Sequence, residues 1–296
     1  MPTRSARHGP RHRAGGPRSS RRGPLVLAVT LVAALTAAAI ALGGSEEGAR
    51  SGAGTGSAAP ATSTDPGSPS GTGAATRAAT PAAAALLEWA ERELPPGTRL
   101  RADEDSREDL LAAGAPDDLV ATDEPTGPDD LVLTVTDGST EPGSRVVARF
   151  DGLVLGDPSP GSPSVELLDR RRTLAGAIAA NPTTRAPEPA AAVLRSADLD
   201  MRLLSLLAVL TARQGLGVAA FPRAEGAEGP ARSVLLDSVG GAPVGTGQAA
   251  TEELGTWLEA QLPPFAPDRV EVTDDGVLLS YRYASDPDAL VADASP

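Results

Sequence analysis

Apolar residues recur along this chain in three rhythms, and each predicts a different kind of element. Over residues 82–94, Leu86, Leu87, Ala90 and Leu94 fall at helical spacing, with Glu88, Glu91, Arg92 and Glu93 largely opposite. That pattern predicts an amphipathic helix stopped by Pro95-Pro96-Gly97. A short strand follows at Arg99-Leu-Arg-Ala-Asp103, then a capping box at Asp105-Ser-Arg-Glu108 and a short helix over 109–114 closed by Gly114. Strands are expected at 118–121 and, more strongly, at 130–136, and the order suggests an α/β layer. Two further strands, 145–150 and 164–168, flank a loop of Asp, Pro, Gly and Ser that would close an antiparallel pair at one sheet edge.

The pattern then turns helical again. Residues 169–180 read as a helix ending at Asn181-Pro182, and 187–195 as a second with proline in its first turn. Over 199–212, Leu203, Leu206, Leu207 and Leu210 make one stripe, the central buried helix of this region. Strands are expected at 216–221 and 232–237, then a helix around Trp257, then alternation on either side of Asp275-Gly276 that predicts a hairpin over 269–283. The expected fold class is α/β in two parts: a Rossmann-like first half over 83–168, and a helical plus β-hairpin second half over 169–284. A flexible tail would follow at 285–296.

The third rhythm is a run over 25–42 of Leu, Val, Ala and Ile with two threonines, eighteen residues without a charge, close to the roughly 20 that cross a bilayer as a helix. Arginines crowd its N-terminal side and Ser45-Glu-Glu follows it. The positive-inside rule therefore predicts a signal anchor over 24–43, a basic cytoplasmic tail over 1–23 and an extracytoplasmic remainder in the cell membrane. Ala39-Ile-Ala41 also fits a cleavage site, and Ser20-Arg-Arg-Gly-Pro-Leu25 loosely matches a twin-arginine signal, so a cleaved leader stays open. Export is expected either way. Residues 44–82, mostly Gly, Ser, Ala, Thr and Pro, read as a disordered linker.

Charge and missing residue types narrow the chemistry. Seven of the 26 basic residues lie in residues 1–23, which leaves 19 against all 39 acidic ones in the rest of the chain, a net of −20. Such a surface repels phosphate backbones, so no nucleic-acid partner is expected. The chain has no cysteine and no lysine, and its two histidines, His8 and His12, are in the basic tail. The predicted domain thus lacks the side chains of Ser/His/Asp and Cys/His catalysis, Schiff bases, P-loops and Cys or His zinc sites. No cofactor and no metal site is expected.

Carboxylates remain. Asp103 and Asp137 each follow an expected strand and would share a ligand crevice if those strands were parallel neighbours; the plainer roles are a helix cap and the start of a Gly-rich turn. The acidic run Asp117, Asp118, Asp123, Glu124, Asp129 and Asp130 lacks EF-hand spacing. Gly245-Thr-Gly247-Gln-Ala-Ala250 mimics a dinucleotide fingerprint but begins eight residues after its strand. Arg170-Arg-Arg172 offers a basic turn for an anionic polymer, or simply an exposed helix start.

The string L-x-x-W-x-E-x-x-L-P-P occurs at residues 86–96 and again at 254–264, and holds the only two tryptophans. Leucines at −3 and +5 lie within about 60° of the Trp on a helix, so each Trp is expected in a buried stripe.

The run Trp89…Leu94-Pro-Pro-Gly-Thr-Arg-Leu-Arg-Ala-Asp103, with Asp109-Leu-Leu-Ala-Ala-Gly114, Asp130-Leu-Val-Leu-Thr and Val146-Val-Ala-Arg-Phe150, resembles the soluble region that follows the membrane-embedded part of some bacterial polytopic glycosyltransferases. Ala180-Asn-Pro182, Leu203-Leu-Ser-Leu-Leu207, Val218-Ala-Ala-Phe-Pro222 and Val277-Leu-Leu-Ser-Tyr-Arg-Tyr283 resemble a helical and hairpin extension in uncharacterised envelope proteins of high-GC bacteria. Those glycosyltransferases keep their catalytic acids in many membrane helices, whereas one apolar span is present here. The resemblance implies a domain without its catalytic partner and carries over no functional residue. The expected function is a non-catalytic accessory or interaction module of the envelope, touching an envelope protein or glycan. A carboxylate-dependent glycan-active enzyme is the alternative, and a single-pass sensor the second.

Overall fold

The computed structural model describes residues 80–120 and 130–295. The expected tail 1–23, anchor 24–43 and nearly all of the linker 44–82 lie outside the described residues. Among those described, no helix is long and apolar enough to cross a membrane. The fold is mixed α/β, with two mixed sheets and seven helices in the described residues.

In the first region α1 (Pro81–Glu93) starts where Thr80 accepts from the Ala83 N–H at 3.3 Å and buries Leu86, Trp89 and Ala90. β1 (Arg99–Ala102), α2 (Glu104–Ala112) and β2 (Val132–Asp137) form a βαβ unit, β1 and β2 pairing in parallel with Leu100 opposite Leu133. The helix starts ahead of the expected capping box because Asp103, not Asp105, caps it. Residues 118–120 of the expected strand at 118–121 are turn, although the Leu119 carbonyl still accepts from Leu100 N–H at 2.6 Å.

β3 (Arg145–Phe150) turns at once into β4 (Leu153–Asp157), giving the sheet order β1-β2-β4-β3. The expected strand at 164–168 is instead the first turn of α3 (Val165–Ala180), with Ser164 accepting from Leu167 N–H at 3.3 Å. Asp151 and Gly152, at φ 37° and 102°, make the Asp-Gly turn that joins strands whose twist is right-handed. With β3 paired immediately, Val165 is left to a capped helix.

The second region continues with β5 (Thr184–Arg185), α4 (Glu188–Ser196), α5 (Met201–Gln214), β6 (Leu216–Ala220), β7 (Ser233–Val239), β8 (Ala242–Pro243) and α6 (Ala249–Glu259). It ends with β9 (Arg269–Thr273), β10 (Gly276–Ser280) and α7 (Pro287–Asp293). The sheet order is β5-β6-β7-β10-β9, with β8 on β7. Leu203, Leu204, Leu207 and Leu210 of α5 are fully buried in its core. α7 falls in the stretch expected as a tail. Asp286 caps it by accepting from Ala289 N–H at 2.9 Å, and Val291 packs into the core. The cap-then-proline start at Asp286-Pro287 is an ordinary helix signal, and one apolar anchor suffices to dock so short an element.

The regions are stitched together. Residues 226–228, between β6 and β7, run along β3, with Arg149 N–H donating to the Gly226 carbonyl and Glu228 N–H to the Val147 carbonyl, both at 2.9 Å. Tyr283, just past β10, joins the core of the first region.

Candidate functional site

β1 and β2 are parallel neighbours, so Asp103 and Asp137 do leave the same end of one sheet. The carboxylate of Asp103 accepts from Ser106 N–H at 2.8 Å as the α2 cap. Asp137 is exposed at the start of the Gly138 turn, opposite Leu153 of β4. Neither lines the clefts described below.

The other motifs resolve into local geometry. A phosphate cradle needs free backbone amides, but Gly245 N–H donates to Thr251 Oγ1 at 2.8 Å, Thr246 N–H to the Thr273 carbonyl at 3.0 Å and Gln248 N–H to the Gly245 carbonyl at 3.2 Å. Of the arginine triplet, Arg171 turns inward to Asp288, and Arg172 pairs with Asp169 at 2.7 Å on the surface. Asp123, Glu124 and Asp129 lie outside the described residues. Among the described residues no three His, Cys, Asp or Glu side chains come together as metal ligands.

The densest chemistry lies in the seam between the regions, in a cleft of about 130 Å³ lined by Arg145, Arg171, Asp200, Arg232, Tyr283 and Asp288 among others. Each charged group there is engaged by another side chain or by a carbonyl. Arg202, the second residue of α5, donates to both oxygens of Asp200, at 3.0 and 2.8 Å, and to the Arg282 carbonyl at 2.6 Å, while its guanidinium lies 5.1 Å from the Tyr281 ring centre. Arg171 grips Asp288 through Nε and Nη2. Arg232 donates to Glu93 at 2.8 Å and sits 5.7 Å from the Trp89 ring and 5.5 Å from Tyr283. Tyr283 donates to Asp157 at 2.7 Å, and Asp157 also accepts from Ser159 N–H at 2.9 Å. Arg145 closes one wall on the carbonyls of Ser285 and Gly161.

Burial sets the protonation states. It pushes the Tyr281 hydroxyl far above the ordinary phenol value, with Asp200 adding to the shift. It does the same to Tyr283, helped by the hydrogen bond to Asp157. Both phenols are therefore neutral donors. Burial opposes the Arg202 charge, but Asp200 beside it prevails and its pKa is raised. Burial also raises Asp288 above the usual carboxylate value, against the pull of Arg171. A carboxyl with a raised pKa is what acid catalysis uses, yet this one is 1% exposed with Arg171 on both oxygens.

None of Asp157, Asp200, Arg232 or Asp288 stood out in the sequence. The one local signal was Asp200, a cap residue before the leucine run of α5, with Arg202 two positions on. A wider groove of about 1070 Å³ lies beside α1, against Leu87, Leu94, Pro96, Pro116 and Leu119, with acidic Glu88 and Glu91 on the helix wall.

No protein-family model, no curated protein and no solved structure matches this chain.

Proposed function

We propose that the chain is a membrane-anchored extracytoplasmic accessory or interaction module of the bacterial cell envelope, and non-catalytic. The supporting observation is the commitment of the seam carboxylates: Asp157, Asp288 and Glu93 are each bound by a tyrosine or an arginine of another element, and Asp200, the cap of α5, by Arg202 of its own first turn. The cleft beside them, about 130 Å³, falls well below the roughly 300–1,000 Å³ of ordinary ligand sites. The pairs Asp157–Tyr283 and Glu93–Arg232 join the two regions, and acids engaged in this way are not poised for a substrate. The anchor over 24–43, the linker over 44–82, a Rossmann-like character of the first half and the likeness to the soluble part of polytopic glycosyltransferases belong to the same proposal. Its partner would be an envelope protein or glycan reached from the membrane surface.

Crosslinking and pull-down from intact membranes, with the tethered domain as bait, tests the reading. It predicts recovery of a defined envelope component and no glycan turnover by the purified chain. Turnover without any captured partner would overturn it.

The raised pKa of Asp288 favours a second reading, a carboxylate-dependent glycan-active enzyme. There, Asp288→Asn abolishes turnover while leaving the folded state intact. A chain that turns over no glycan before the substitution removes this reading.

A further inference from the structure

The two sheets have four edges, and three are blunted in ways that prevent further pairing. β5 is only two residues long. The outer edge of β3 is taken by residues 226–228, and β1 gives its Leu100 N–H to the Leu119 carbonyl. β9 is different. It is five residues long, carries no proline, pairs with β10 without a register shift, and among the described residues nothing hydrogen-bonds the main chain of 269–272 from its outer side.

Its side chains match this. Val270 and Val272 lie opposite Leu279 and Val277, which are 0% and 1% exposed, so all four share the core face. The two valines are nevertheless 41% and 49% exposed: β9 overhangs the core and leaves an apolar strip uncovered. The two-residue loop at 274–275 closes on Thr273 and Gly276 as a hydrogen-bonded pair. By alternation, Val270 and Val272 then turn their N–H and C=O groups to the free edge. On the opposite face Arg269 Nη1 lies 3.2 Å from Glu271 Oε1, and both side chains are exposed.

We propose that β9 pairs antiparallel with β9 of a second copy, about a two-fold axis through Val270, to make one sheet continuous across a dimer. Charge complementarity points to a second copy as the occupant and favours this register over the two adjacent ones. With Val270 opposite the partner's Val270, Arg269 faces the partner's Glu271 and Glu271 faces the partner's Arg269, two complementary pairs on one face. The adjacent registers that keep the faces matched set either Glu271 or Arg269 against its own copy, which is repulsive. In the favoured register, outward-facing Val270 meets its copy as a hydrogen-bonded pair, and the apolar strips of the two copies run on from each other. The proposal concerns this strand alone and does not depend on the accessory reading.

Because the chain has no cysteine, thiol trapping reads the register directly in the full chain. Facing hydrogen-bonded residues stand about 5.5 Å apart at Cα, within the roughly 4.4–6.8 Å a disulfide spans. Val270→Cys should therefore give a covalent dimer under mild oxidation. Val272→Cys, whose two copies sit four residues out of register, on the order of 14 Å apart, should give none.

Light scattering on the wild-type chain should show the mass of a dimer on concentration. Arg269→Glu and Glu271→Arg should each lose it, since each sets like charges opposite. Mixing those two variants should restore a dimer, because their strands are complementary to each other. Recovery in the mixture also shows that both variants are folded.

A wild-type chain of single mass that Val270→Cys does not trap would overturn the proposal; in that case another segment or another protein covers the edge. So would preferential trapping through Val272→Cys, charge variants that stay dimeric, or a mixture that stays monomeric.

Discussion

The two copies of L-x-x-W-x-E-x-x-L-P-P are used in opposite ways. In the first, Trp89 is 1% exposed, edge-on to Phe150 at 6.0 Å between ring centres, and Arg232 reaches it across the seam. Its indole N–H has no hydrogen-bond partner among the described residues, so packing holds the ring. In the second, Trp257 is only half-buried, and its cation is the exposed Arg213 of α5, 5.6 Å from the ring centre. The leucine five residues on differs even more: Leu94 is 4% exposed and Leu262 is 71%. The expectation that each Trp lies in a buried stripe holds for Trp89 and falls short at half-buried Trp257, whose following leucine leaves the stripe altogether. α1 runs four residues past its Trp and Leu94 keeps the helical phase as the C-cap, whereas α6 stops two residues past Trp257. Angular position predicts burial only while the helix lasts.

Truncating the tryptophans is the strongest way to break the comparison. Trp89→Ala should destabilise by about 3–5 kcal/mol, as loss of a large buried side chain does, against about 1 kcal/mol for half-buried Trp257. Each variant keeps the other tryptophan as the fluorescence probe for urea unfolding. Equal losses would mean the two units are equivalent after all.

The leucines test the same contrast with less volume. Leu94→Ala should cost about 2–5 kcal/mol, and Leu262→Ala should change stability by no more than about 0.5 kcal/mol. Measured midpoints in the reverse order would remove the helix-length explanation.

At the seam, Tyr283→Phe deletes the hydroxyl that donates to buried Asp157. The loss should be about 1–3 kcal/mol, the cost of a buried acceptor left short of a partner. A variant as stable as wild type would mean water replaces the phenol, and that Tyr283 does not tie the first core to the second region.

The smallest expected effect is a pH dependence. The folded-state pKa of Asp288 lies above its ordinary value of 3.8, so its protonated form favours the fold. That contribution is fully present below about 3.8 and is lost as the pH rises through the raised value. The stability of wild type relative to Asp288→Asn should therefore decline upward from pH about 3.8. A gap that stays constant, or that widens in favour of wild type, would contradict the direction of the shift.

Elements whose information is local were legible. The helix around Trp89, the leucine stripe of α5 and the last hairpin carry period and stop signals within their own residues. β4 was hidden because Leu153-Val-Leu155 runs into Gly156 and Asp157 without alternation, although Asp151-Gly152 announced the turn before it. α7 was hidden because a seven-residue element with a single deep anchor has little periodicity to show. The condition set for Asp103 and Asp137, that their strands be parallel neighbours, is met, but what a carboxylate does there depends on which amide or cation reaches it. Partners of Asp157, Asp288 and Glu93 come from 126, 117 and 139 residues away in the chain.

The sequence alone determined the α/β class, the positions of the strongly periodic elements and the absence of thiol, imidazole and amine chemistry from the folded part, because residue type and spacing are properties of the chain itself. Only the tertiary structure decided that one tryptophan is a core residue and its twin is not, that the acids at the seam are tied by arginine and tyrosine, and that, among the described residues, β9 is the sheet edge whose main chain over 269–272 meets no partner on its outer side. Burial and pairing depend on what the rest of the chain brings alongside, and no local pattern contains that.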